Sequence, residues 1–151
     1  MLKRIAIASI VLTLVASGAA LAATRDMGMG TRVYLHSSSL GKVLSTGTGR
    51  ILYLYTGDGF KVTHCTGPCA GTWPPLYTTA KPESGSMGVK QSLLGRLTRP
   101  NGKMQVTYNG HPLYYFVSDR KPGQTTGQGI DQFGGPWWVL SPAGKEIHRH
   151  G

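Results

Sequence analysis

Asn101–Asp119 reads NGKMQVTYNGHPLYYFVSD, and the pattern of this stretch decides the fold class. Two Asn-Gly dipeptides, Asn101-Gly102 and Asn109-Gly110, flank a run in which Met104, Val106 and Tyr108 alternate with Lys103, Gln105 and Thr107. Asn-Gly accepts the left-handed backbone of a tight hairpin turn, and the alternation matches the two-residue period of a strand. An aromatic strand is predicted to follow from Leu113 to Val117 and to stop at Asp119.

An earlier segment repeats this plan. Leu40-Gly41-Lys42 answers Leu94-Gly95-Arg96, and Tyr53-Leu54-Tyr55-Thr56-Gly57-Asp58 answers Tyr114-Tyr115-Phe116-Val117-Ser118-Asp119. The chain therefore reads as one β-unit written twice, at 31–77 and 89–142, with a Pro- and Ser-containing linker at 78–88. Each unit alone is too small to bury a sufficient core, so the two are expected to pack together. Twenty-two glycines and nine prolines break the chain every few residues, and no helical period shows beyond the N-terminal segment. The expected fold is all-β: two tandem β-repeats in one small, loop-rich, barrel- or sandwich-like domain.

Residues 1–22 read as a signal peptide. Lys3 and Arg4 precede an apolar run from Ile5 to Val15, and Ala20-Leu21-Ala22 supplies small residues for cleavage after Ala22. The prediction is a periplasmic or secreted protein. With no cysteine near that site, no lipid anchor is expected. Segments 23–30 and 143–151 read as flexible ends.

The whole chain has 16 Lys and Arg against 6 Asp and Glu. Loss of Lys3 and Arg4 leaves fourteen basic residues, a surplus of +8. That surplus reads as solubility and weak surface attraction ahead of a specific polyanion site, and any envelope partner it favours is anionic. Its basic residues are scattered singly, which argues against a dedicated nucleic-acid arm.

Cys65 and Cys69 are the only cysteines, and in an exported chain they are expected to form a disulfide. Their spacing excludes a Cys-x-x-Cys redox pair, and with His64 they supply three zinc ligands at most. Gly67-Pro68-Cys69-Ala70-Gly71 imitates a nucleophile elbow, but the Gly-Pro and Pro-Pro content of 63–76 predicts a loop without the strand and helix such an elbow needs. The disulfide would pin the turn that presents Trp73, and Trp73, Trp137 and Trp138 are expected to close the two ends of the core.

Tyr53 and Tyr55 project from one strand face, as do Tyr114 and Phe116, and each pair precedes an aspartate. Asp58 and Asp119 read either as turn caps or as ligand-binding carboxylates, so these six residues are the candidate binding positions. Met27 and Met29, with His148 and His150 and the single histidines 36, 64 and 111, provide the alternative of copper handling. Six acidic residues without catalytic spacing predict no enzyme, and no cofactor is expected.

The doubled Tyr-x-(Phe/Trp/Tyr)-x-x-Asp motif resembles the bacterial secreted-repeat family of predicted lipoproteins. The likeness runs from about Val33 to Val139. It includes Cys65-Thr66-Gly67-Pro68-Cys69-Ala70 with Trp73-Pro74-Pro75-Leu76, and Gln105-Val106-Thr107-Tyr108-Asn109-Gly110 with Pro112-Leu113-Tyr114. The resemblance implies extracytoplasmic location, a tandem β-repeat and no established activity. Lacking the lipid-accepting cysteine, this chain departs from the family's anchored members. The expected role is non-catalytic binding or scaffolding.

Overall fold

The computed structural model describes residues 30–149. Signal-peptide residues 1–22, Met27, Met29 and His150 lie outside them. Among the described residues nine short strands form three three-stranded sheets, and these do not close into a barrel. β1 (Arg32–Ser38) pairs antiparallel with β2 (Gly41–Ser45) and parallel with β4 (Glu83–Ser84). β3 (Tyr53–Tyr55) pairs with β9 (Gly135–Val139), which also pairs with β8 (Asp131–Gln132). β5 (Leu94–Thr98), β6 (Met104–Tyr108) and β7 (His111–Pro112) form the third sheet.

The β6–β7 turn is the one read from the sequence. Asn109 and Gly110 both have positive φ, 49° and 81°, as a two-residue hairpin turn of this kind requires. Leu113–Val117, expected as a regular strand, instead makes single bridges, with Tyr114 facing both Tyr53 and Pro75. Pro74 and Pro75 carry no N–H, so a ladder cannot propagate along that side.

A two-fold plan relates the halves. Tyr53 and Tyr114 exchange backbone hydrogen bonds at 2.9 and 3.0 Å. Around this pair, Leu52 N–H to Leu44 O is matched by Leu113 N–H to Val106 O, and Leu44 N–H to Leu140 O by Val106 N–H to Leu76 O. Each repeat's closing segment therefore completes the other repeat. Leu76 bonds into the second copy, and β9 bonds into the first. The same plan shows that the two Leu-Gly dipeptides are not counterparts: Gly41 opens β2, whereas Leu94-Gly95 opens β5.

Exchange of closing segments places the central strands between two cores. Tyr53 and Tyr55 face an aromatic cluster with Trp73, Tyr114, Phe116 and Trp137. Leu52 and Leu54 face an aliphatic cluster with Leu44, Val106, Leu113 and Leu140. All five residues from Ile51 to Tyr55 are buried, the pattern of a strand covered on both faces.

Three connections are more ordered than their composition suggests. β4 ties the 78–88 linker to β1. Residues 68–72, expected as loop, form a single helical turn, α1 (Pro68–Thr72), because Pro68 fixes φ at its start and Trp73 N–H caps Cys69 O at 2.7 Å. The C-terminal segment, expected to be free, docks through Ile147 N–H to Val139 O and packs Ile147 against the aromatic core.

Because each half lacks its own closing segment, residues 31–77 or 89–142 expressed alone should show no near-UV circular dichroism, while the whole chain unfolds in one transition. A folded isolated repeat would contradict the exchange.

Candidate functional site

Four aromatic rings stack in a column through the aromatic core. Tyr55 lies on Trp137 at 4.5 Å between centroids, Trp137 on Trp73 at 4.0 Å, and Trp73 on Phe116 at 4.3 Å. Trp73 and Trp137 thus meet at the middle of the core rather than closing its two ends, because the exchanged segments bring them face to face. Gln132 satisfies both indoles, its Oε1 accepting from Trp73 and its backbone O from Trp137. Trp138, on the opposite face of β9, stacks on His148 at 4.7 Å.

The motif tyrosines cross over in the same way. Tyr53 OH donates to Asp119 Oδ2 at 2.6 Å, and Tyr114 OH donates to Asp58 Oδ2 at 2.5 Å. Each aspartate also caps its own loop: Asp119 Oδ1 accepts from Thr126 N–H and Oγ1, and Asp58 Oδ1 from His64 N–H. The structure therefore brings all six motif residues together as contacts between repeats. Burial pushes the Tyr53 and Tyr114 hydroxyls far above the ordinary tyrosine range, and the carboxylate each one faces adds to the rise.

Asp58 is also raised above its ordinary value, by burial, against the opposing hydrogen bonds of Tyr114 and His64 and the nearby His64 and Arg99 charges. Cys65 and Cys69 form the disulfide, and its loop is held from beneath by Arg99. Arg99 is only 4% exposed. Its Nη2 donates to Cys65 O at 2.5 Å, and its Nη1 to Gln105 Oε1 at 2.5 Å and Thr63 Oγ1 at 3.2 Å. Thr63 Oγ1 lies 2.7 Å from Tyr114 OH, so one polar chain runs from Asp58 to Arg99.

A row of surface hollows lies where the Phe60–Ala70 loop of the first repeat meets the β5–β6 hairpin of the second. Four hollows of about 140, 280, 190 and 510 Å³ adjoin one another. The first two share Lys61, the second and third Arg99 and Pro100, and the third and fourth Tyr77. Lys61, Arg99 and Lys103 line this path, and no acidic residue does. Lys61 stands over the exposed Phe60 ring, and Lys103 over Tyr77. The sequence reading missed Arg99, whose burial depends on the Cys65 loop folding over it. Arg-Pro ahead of Asn-Gly was its only local signal.

The described histidines do not converge. His64 Nδ1 pairs with Gly57 O, His148 with Glu146, His111 lies on β7, and His36 abuts Gly123. Among the described residues no group of three or more His, Cys, Asp or Glu is placed to hold a metal.

A family model described as a secreted repeat of unknown function matches residues 35–77 and 95–141. The chain belongs to that family of secreted repeats. Both matched segments coincide with the exchanged halves, so the secreted repeat here is a unit that completes its neighbour. No curated protein and no solved structure matches the chain. Among the described residues no helix is long and apolar enough to cross a membrane.

The raised Asp58 gives a pH prediction with a definite sign. A carboxyl whose folded value exceeds its ordinary 3.8 binds its proton more tightly in the native state, so its contribution to stability is lost as pH rises above about 4. Asp58→Asn should flatten the fall in melting temperature as pH rises above about 4. Parallel curves for wild type and variant would contradict this.

Proposed function

We propose that this exported protein is a non-catalytic binding module of the bacterial envelope, acting in the periplasm or outside the cell after cleavage near Ala22. Its ligand is an anionic, chain-like envelope component. The observation that carries this reading is the row of hollows: neighbours share lining residues, Lys61 and Lys103 stand exposed along it, and no carboxylate is among the residues that line it. A row of open hollows suits a chain-like ligand better than a single enclosed ion. The exposed rings of Phe60 and Tyr77 add apolar surface beside each lysine, the combination suited to charged polymers with apolar faces.

The motif residues support the reading indirectly. They lock the repeats, and the loop after Asp58 that they position forms one wall of the hollows from Phe60 to Ala70. The test is titration of the mature protein with polygalacturonate. The Lys61→Ala, Lys103→Ala double variant should bind about tenfold more weakly and with a shallower salt dependence. Equal affinity and equal salt dependence would overturn the proposal.

A further inference from the structure

Strand β5 has an open edge. Arg99 N–H donates to Lys103 O and Asn109 N–H to Leu93 O, so Leu93, Gly95, Leu97 and Arg99 direct their backbone groups to β6. Antiparallel pairing alternates, and the groups of Leu94, Arg96 and Thr98 therefore point away from β6. Among the described residues nothing bonds Leu94 O, or the N–H and O of Arg96 and Thr98. Arg96 and Thr98 are exposed. An uncovered strand edge is a template for pairing with another chain.

The first repeat shows what such an edge takes. By the two-fold plan, Val33, Tyr34 and Leu35 of β1 correspond to Leu94, Gly95 and Arg96 of β5. The β1 edge is covered by the 78–88 linker, which runs parallel to it through β4. Gly85 N–H donates to Val33 O at 2.7 Å, and Leu35 N–H donates to Ser86 Oγ at 3.1 Å. Leu94 O and Arg96 N–H are the counterparts of those two groups, and both are unpaired. No second linker reaches them, because the segment after β9 turns back onto Val139 through Ile147.

The two edges differ in the side chain each offers an added strand. On β1 the Tyr34 ring lies over Gly85, where a Cβ would come within 2.4 Å of Tyr34 Cζ. On β5 Gly95 takes the place of that tyrosine, and the side chain above it is Lys61, with Nζ 3.9 Å from where a Cβ of Gly95 would be. A hollow of about 140 Å³ opens there among Phe60, Lys61, Leu94 and Gly95. A strand residue in the position of Gly85 thus meets an ammonium instead of a ring. The exposed Arg96 adds a second cation along the edge. A second copy of the chain suits this edge poorly: two β5 strands joined antiparallel about their centres set Arg96 against Arg96, a like-charge pair.

We infer that β5 is the docking edge for an extended acidic segment of a partner protein, which adds parallel to it as a fourth strand and turns a carboxylate side chain toward Lys61. Main-chain bonds to Leu94 O and Arg96 N–H set the register, and the hollow beside Phe60 selects the side chain. The inference goes beyond the polyanion reading and does not need it, since these bonds are made to backbone groups.

The experiment titrates isotope-labelled mature protein with a blocked peptide of residues 80–87, AKPESGSM, and with its Gly85→Glu and Gly85→Lys forms, following backbone amide resonances. The Glu form should shift Arg96 and Thr98 and bind about tenfold more tightly than the Lys form, and Lys61→Glu in the protein should reverse that order. In the Glu form, N-methylation of residue 85 removes the N–H that meets Leu94 O and should abolish binding. N-methylation of residue 84 should be tolerated, because Ser84 N–H points away from β1, to Gln91 Oε1 at 2.8 Å. Shifts that miss β5, equal effects of the two methylations, or no preference between the Glu and Lys forms would overturn the inference. So would self-association through β5, read in peptide-free protein as protection of the Arg96 amide from exchange that grows with concentration.

Discussion

Everything in this protein depends on two hydrogen bonds that cross between its halves, Tyr53 to Asp119 and Tyr114 to Asp58. Each joins a buried phenol to a carboxylate of the other repeat. A hydrogen bond to a charged acceptor contributes roughly 1.5–3 kcal/mol, and leaving either partner buried alone costs a comparable amount. The stacked column of Tyr55, Trp137, Trp73 and Phe116 adds contacts in the same sense, since each motif aromatic lies on the other repeat's tryptophan. By contrast, the disulfide closes a loop of five residues, worth about 2 kcal/mol on the chain-entropy account, and fixes only local shape.

This arrangement explains the spacing of the doubled motif. In Tyr-x-Aro-x-x-Asp, the two-residue step puts both rings on the aromatic face of one strand. One reaches the partner's carboxylate and the other its indole. Three residues further on, the aspartate has left the strand and accepts from its partner's tyrosine while capping its own loop. The interior is close to two-fold symmetric, and the surfaces are not. Arg99, Gly95 and Thr107 stand where the first repeat has Ser38, Tyr34 and Ser45, so the two halves differ on this sheet face. A shared interior leaves one copy's surface free to diverge without loss of the interlock.

The sequence made the repeat, the all-β class and the Asn109-Gly110 turn legible because these are local signals of period two and turn chemistry. It also grouped Tyr53, Tyr55, Asp58, Tyr114, Phe116 and Asp119 as candidate binding positions, and the structure joins these residues as contacts between the repeats. What it could not show was that each residue answers the other copy, because a pattern within one repeat is silent on which repeat supplies the partner. The same limit misplaced Trp73 and Trp137, which were assigned to opposite ends and lie at 4.0 Å. Arg99 and Thr107 escaped notice because burial of a lone arginine or threonine depends on the Phe60–Cys65 segment folding over the sheet, a contact between residues far apart in the chain.

The central claim is that the repeats are held by reciprocal tyrosine–aspartate pairs. A double-mutant cycle on Tyr53→Phe and Asp119→Ala, followed by denaturant unfolding, tests it most directly. The two losses should be strongly non-additive, with a coupling on the order of 1.5–3 kcal/mol, whereas Tyr53→Phe combined with Asp58→Ala should be close to additive. Additive losses in the first cycle, or equal coupling in both, would contradict the account.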